Sequence, residues 1–245
     1  MRRTWWDVTG LVRIAVVAGL VVVAATACGD DDDAGGGGAE GGSGGTVEPT
    51  PVEPVDEPDG AALVAAFGGA ADAAYAAGGA NRQQDFAMGT TVDDCPILTD
   101  ETPAAVAAAL GAADAEAATP AGGNYLSGPP DERELLTCAI QLADGATTVG
   151  ASAGSLPFDR DGVVADLRNA AERTDSTIEE VDGEAPGLDP AHVVGVVRDG
   201  QAAIYVWVDG GFHVALSGPA ATLAPEVGFP ALALLVDHVA TALAS

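Results

Sequence analysis

Lysine is absent from this 245-residue chain, aromatic residues make up 4% of it, and only three cysteines and three histidines occur. Each shortage removes a class of function. With nine arginines against 37 acidic residues, the formal net charge is −28, a field that repels nucleic acid and anionic headgroups. His192, His213 and His238 form neither His-x-His nor His-Glu-x-x-His, and no cysteine pair is spaced Cys-x-x-Cys. No metal site and no cofactor are therefore expected. The carboxylates are numerous and evenly scattered, which singles out no pair for general acid–base work.

What is present begins with an address. Arg2, Arg3 and Arg13 make a positive start, and Ile14 to Ala27 is an uncharged run rich in Val and Ala. That run is too short to cross a hydrocarbon core of about 30 Å, so residues 1–27 are expected to be a signal peptide. Arg2-Arg3 is similar to a twin-arginine export signal, but Thr4-Trp5-Trp6 matches that pattern loosely, and the Sec route is preferred. Ala25-Thr26-Ala27-Cys28-Gly29 resembles the lipobox of bacterial lipoproteins, with Ala25 where such boxes usually carry Leu. The resemblance implies cleavage before Cys28, a diacylglycerol thioether on it, and a protein held through that lipid to the outer face of the cytoplasmic membrane.

Residues 28–60 read as a tether. Asp30 to Asp33 is followed by two glycine runs, and then by Pro49, Pro51, Pro54 and Pro58 among five acids. The glycine part has nothing to bury and the proline part is stiffer and more extended. Contiguous Asp on a glycine tether lacks the spacing of a calcium loop, so a solvated spacer is expected.

Residues 61–245 are the length of a single domain with a sizeable core. They carry 26 acids against six arginines, a net charge near −20. Cys95 and Cys138 form an even pair in an exported domain and are expected to be disulfide-bonded.

Periodicity gives an Ala-rich helix over 61–77 and a short helix from Thr102, read as an N-cap with Pro103 at N1. Residues 81–94 and 124–131 read as loop and turn. Strands 135–142 and 146–153 flank Asp144-Gly145, a hairpin signal. A helix over 159–173, a short strand near 177–181, a meander over 192–217 and a closing helix over 231–244 complete the order. Every firm strand connection is a hairpin. The expected class is α+β, an antiparallel sheet with helices packed on one face, built as two helix-plus-hairpin halves near 102–153 and 159–217.

Cys95-Pro96-Ile97-Leu98-Thr99, the helix ending at Leu110-Gly111, Cys138 in a strand and the closing helix from Ala231 carry a second resemblance. Over about residues 85–244 the chain is similar to actinobacterial-type envelope lipoproteins with a Cys-Pro-x-Leu-Thr domain of unknown function, as in mycobacterial and streptomycete lipoproteins. The likeness implies the same location, a disulfide between Cys95 and Cys138, and an α+β fold. It brings no catalytic residues.

Gly150-Ala151-Ser152-Ala153-Gly154 matches the Gly-x-Ser-x-Gly elbow of α/β-hydrolases, and Asp189 and His238 follow in triad order. The elbow needs a helix directly behind the serine, and Ser155 to Phe158 intervenes, so a serine hydrolase is the minor alternative. The last hairpin is more informative. A three-residue turn at 209–211 sets Val208 opposite Phe212, Val206 opposite Val214 and Ile204 opposite Leu216, one apolar face. The other face then presents Tyr205, Trp207 and His213, with Trp207 directly across from His213. These three are the expected binding residues, since an apolar body with a polar tip suits a partly wet contact. The alternative packs Trp207 beneath the 61–77 helix. The expected function is a non-enzymatic module binding a small apolar ligand or an envelope protein. A structural or accessory lipoprotein is the runner-up.

Overall fold

The fold is given by a computed structural model that describes residues 48–77, 87–92, 95–128, 135–155, 160–174, 176–208 and 211–245. The signal segment, Cys28 and the glycine-rich part of the tether lie outside these residues.

The expected α+β architecture is present. Among the described residues the order is α1 (Gly60–Ala77), β1 (Ala87–Val92), α2 (Thr102–Ala109), β2 (Thr119–Gly128), β3 (Leu135–Gln141), β4 (Thr148–Gly154), α3 (Arg160–Arg173), β5 (Glu179–Val181), β6 (Val193–Arg198), β7 (Gln201–Val208), β8 (Phe212–Pro219) and α4 (Pro225–Leu243). The strands form one antiparallel sheet in the order β1-β2-β3-β4-β8-β7-β6-β5. Each half contributes a meander that runs outward from a central β4–β8 pair, so the strand order repeats about the middle of the sheet. The correspondence stops at the strands, because α2 and α3, the helices of the two expected halves, lie on opposite faces.

Side-chain alternation builds the main core. Leu136, Cys138 and Ile140 of β3, Val149 and Ala151 of β4, Ile204, Val206 and Val208 of β7, and Phe212, Val214 and Leu216 of β8 are buried in one cluster. Onto this face pack α1, through Leu63, Phe67 and Ala71, α2, through Val106 and Ala107, and α4, through Phe229, Leu232, Leu235 and Val236. Phe67 meets Phe212 edge-on, with ring centroids 5.8 Å apart. Each large apolar side chain fully buried here contributes roughly 1.5–3 kcal/mol. Phe229 fits because β6 carries a glycine beneath it: a Cβ on Gly195 would lie 2.9 Å from the Phe229 ring.

One helix stands apart from the single-face expectation. Strands β6 and β7 are apolar on both sides, and Val194, Val196, Ala203 and Trp207 on the second face are covered by Val163, Val164 and Leu167 of α3. A strand pair apolar on both faces needs two covers. Ion pairs of Arg160 and Arg168 with Glu180 tie α3 to β5.

Cys95 and Cys138 are disulfide-bonded, with Cα atoms 6.1 Å apart across a separation of 43 residues. The bridge fastens the segment ahead of α2 to the middle of β3. The expected Thr102 cap takes another form: Thr102 is buried and its Oγ1 accepts the Thr99 N–H at 2.9 Å, behind the helix rather than within it. That oxygen also lies 3.1 Å from His238 Nδ1, which ties α2 to α4. Helix α4 begins six residues before the expected start, with Pro225 in its first turn and Pro230 inside it. It is long and apolar enough to cross a membrane by length and composition, yet eight of its residues are buried in the domain.

The two strands that periodicity reads as loop and turn, β1 and β2, are the glycine-bearing pair at one edge. The β1–β2 ladder shifts register between Ala87 and Thr90, and the β2–β3 ladder between Ala121 and Tyr125. Pairing with β3 imposes a strand on a sequence with little preference for one.

Candidate functional site

The β7–β8 register is the expected one: Val208 pairs Phe212, Val206 pairs Val214, Ile204 pairs Leu216, and Trp207 lies across from His213. Tyr205, Trp207 and His213 therefore share a face, and Tyr205 stacks on Trp207 with centroids 5.6 Å apart. That face is closed. Trp207 is 7% exposed and His213 1%, while Tyr205 is half-buried. The cover over Trp207 is α3, on the side of the sheet opposite the 61–77 helix. An open, partly wet contact surface does not describe these residues.

Burial sets their chemistry. Desolvation pushes the His213 imidazolium down to about 4, opposed by a hydrogen bond to the Gly154 backbone, so the ring is neutral at pH 7. Burial likewise pushes the Tyr205 phenol up to about 12. Among the described residues, Trp207 Nε1 and His213 Nδ1 find no hydrogen-bond partner. An unpaired buried group of this kind costs on the order of 1–3 kcal/mol, so the cluster holds Trp207 by packing rather than by its polar tip.

Trp5 and Trp6 lie in the expected signal segment, so in a protein produced from Cys28 onward Trp207 is the only tryptophan. Its emission is expected to be blue and poorly quenched by acrylamide. A red, fully quenchable emission would mean that α3 does not cover it.

The hydrolase alternative is not assembled. Ser152 lies within β4 on the second face, with Oγ 2.8 Å from Thr137 Oγ1. His238 is on α4 against the first face, and Asp189 Oδ1 accepts the Ala191 N–H at 2.9 Å. The sheet separates the serine from the histidine. Among the described residues no group of three or more His, Cys, Asp or Glu side chains could hold a metal ion.

A second feature was missed in the sequence. Residues 48–59, expected to belong to the tether, form an extended strap across the domain. Thr50 N–H donates to the Ala108 carbonyl at 3.1 Å and Val55 N–H to the Pro186 carbonyl at 3.2 Å. Val52 and Val55 pack against the main core, and Glu57 Oε1 lies 3.4 Å from His192 Nδ1. Asp59 Oδ1 then accepts the Ala61 and Ala62 N–H groups, which starts α1. The readable signal was Val52, Val55 and Pro58 at intervals of three. That is the period of a polyproline II segment, and it puts all three on one side.

Between the strap and the helices runs a groove of about 550 Å³. Its walls are Val52 and Val55 of the strap, Ala105 and Ala108 of α2, and Leu234 of α4, with Glu53, Asp56 and Asp237 also lining it. The apolar residues named are all half-buried and the three acids exposed.

Gly187 reports on the strap. Its φ is +87°, and an added Cβ would run into the Val55 carbonyl. Gly187→Ala is therefore expected to lift Val55 and to speed cleavage of the Val55–Asp56 bond, by an endopeptidase that cuts on the amino side of aspartate, several-fold. Unchanged cleavage would show that the strap is not held at this turn.

No protein-family model, no curated protein and no solved structure matches this chain.

Proposed function

We propose that the chain is a non-catalytic, ligand-binding lipoprotein of the cell envelope, exported and held outside the cytoplasmic membrane by lipid on Cys28. Its ligand is a small, largely apolar molecule seated between the strap and helices α2 and α4. The charged start, the short apolar run and the small residues before Cys28 support the address. The similarity to actinobacterial-type envelope lipoproteins points the same way.

The groove supports binding. Its volume of about 550 Å³ lies within the range of small-ligand sites, and its half-exposed apolar walls come from three separate segments. Tyr205, Trp207 and His213, by contrast, act as a packed support for the strands.

N-Phenyl-1-naphthylamine, a neutral fluorescent probe, tests this reading. The mature chain is expected to bind it saturably with a stoichiometry near one. Ala108→Phe, which fills the groove, and Leu234→Gln, which makes it polar, should each weaken uptake at least tenfold or so, about 1.4 kcal/mol. Both should melt cooperatively. Uptake that is absent, or equal in both folded variants, overturns the proposal. On the address, Cys28→Ala is expected to release the protein from membranes, and retention would contradict lipid anchoring.

A further inference from the structure

We infer that the groove selects a cationic amphiphile: an alkyl body along the apolar walls and an ammonium end among Glu53, Asp56 and Asp237. The inference rests on the groove being the ligand site and adds the charge of its occupant.

Two observations carry it. The first is the composition of the lining, which combines Pro51, Val52, Pro54, Val55, Ala105, Ala108, Ala109 and Leu234 with three acids and includes no Arg or His. An apolar trough with one sign of charge along it is complementary to a molecule that is itself divided, apolar along its length and positive at one end. The second is that the three carboxylates are not engaged. The ion pairs of the described residues involve Arg160, Arg168, Arg198 and His192, and their acidic partners are Asp161, Glu180, Asp199 and Glu57. Among the described residues, Glu53, Asp56 and Asp237 thus line the groove with no ion-pair partner.

The setting reinforces the sign. Two of the three acids are on the strap and one is on α4, so docking the strap gathers like charges. A cation between them relieves that repulsion, whereas an anion adds to it in a chain already at −28. Strap docking and cation binding should therefore favour each other. A neutral alkyl compound gains the apolar contact alone.

The test is competition against bound N-phenyl-1-naphthylamine on the mature chain at low ionic strength. Decyltrimethylammonium, decyl glucoside and decyl sulfate share a tail and are used below their micellar concentrations. The cation is expected to displace the probe at a concentration roughly tenfold lower than the neutral compound, and the sulfate at a higher one. Added salt should narrow the gap. Glu53→Gln with Asp56→Asn and Asp237→Asn should abolish the preference, read as the ratio of the displacing concentrations of the cation and the neutral compound on that same variant. Neutralising three acids elsewhere, with Asp114→Asn, Glu172→Gln and Glu179→Gln, should leave the preference in place. Equal displacement by cation and neutral compound overturns the inference and leaves the groove as the binding site. So does a preference that the remote substitutions remove as effectively as the local ones, since that marks a general charge effect. Failure of the neutral probe itself to bind overturns the groove reading, and this inference with it.

Discussion

Replacing Cys95 and Cys138 together by alanine is expected to lower the unfolding free energy by about 4 kcal/mol. The bridge closes a loop of 43 residues, and its two ends lie in the segment ahead of α2 and in the centre of β3. In the chain-entropy account, most of that loss is the freedom the unfolded chain regains. The loop includes β1's neighbour β2, whose glycine-rich ladder is irregular, and α2, a helix of eight residues. A helix so short does not hold itself together in water. The melting temperature should fall by roughly 8–16 °C for a domain of this size. Reduction of the intact disulfide should reproduce most of the effect, which separates loop closure from loss of the buried Cys138 side chain. A change below about 1 kcal/mol would show that the loop is ordered without its staple. Loosening α2 should also open the groove, so probe uptake should fall alongside stability.

The second large effect concerns pH. His213 is buried and titrates at about 4 in the fold against an ordinary value of 6.5. The unfolded chain therefore takes up the proton first as pH falls. The stability associated with the neutral ring is complete above pH 6.5, is lost as pH falls from 6.5 to 4, and changes no further below that. Each pH unit across that window costs about 1.4 kcal/mol, so the whole effect is about 3 kcal/mol. Carboxylates titrate across the lower part of the same window, so the informative quantity is a difference between proteins. Relative to the native chain, His213→Leu should gain about 3 kcal/mol between about pH 7 and pH 4, whatever its stability at neutral pH. Parallel pH profiles for the two proteins would mean that His213 is solvated rather than buried.

How much of this was legible in the sequence depended on how strongly local pattern and packing agreed. The last hairpin was readable residue by residue because strict alternation and a three-residue turn leave one register with a uniform apolar face. The disulfide was readable from cysteine count and expected compartment. The Asp199-Gly200 turn was readable because Asp-Gly suits the positive φ values, 51° and 76°, that a tight hairpin turn requires. Strands β1 and β2 were not, because Ala87-Met88-Gly89-Thr90 and Ala121-Gly122-Gly123-Asn124 acquire strand geometry from their neighbours. The start of α4 was hidden by Pro230, which reads as a boundary though the helix passes through it.

The binding residues were the harder case. Alternation correctly placed Tyr205, Trp207 and His213 on one face, but alternation is silent on what covers a face. The α3 stripe of Val163, Val164 and Leu167 was visible, and either face of the sheet could have received it. The strap was missed for the opposite reason. Its acidic, proline-rich composition reads as a solvated tether, and only the three-residue spacing of Val52, Val55 and Pro58 marks the side that docks.

The most direct test of the groove as the ligand site is backbone amide shift mapping of the isotope-labelled mature chain titrated with N-phenyl-1-naphthylamine. The expected result is saturable shifts at Val52, Val55, Ala105, Ala108, Leu234 and Asp237, with Trp207 and His213 unmoved. Shifts centred on Trp207 and His213, with the strap unaffected, would contradict the account and return the binding role to the aromatic face.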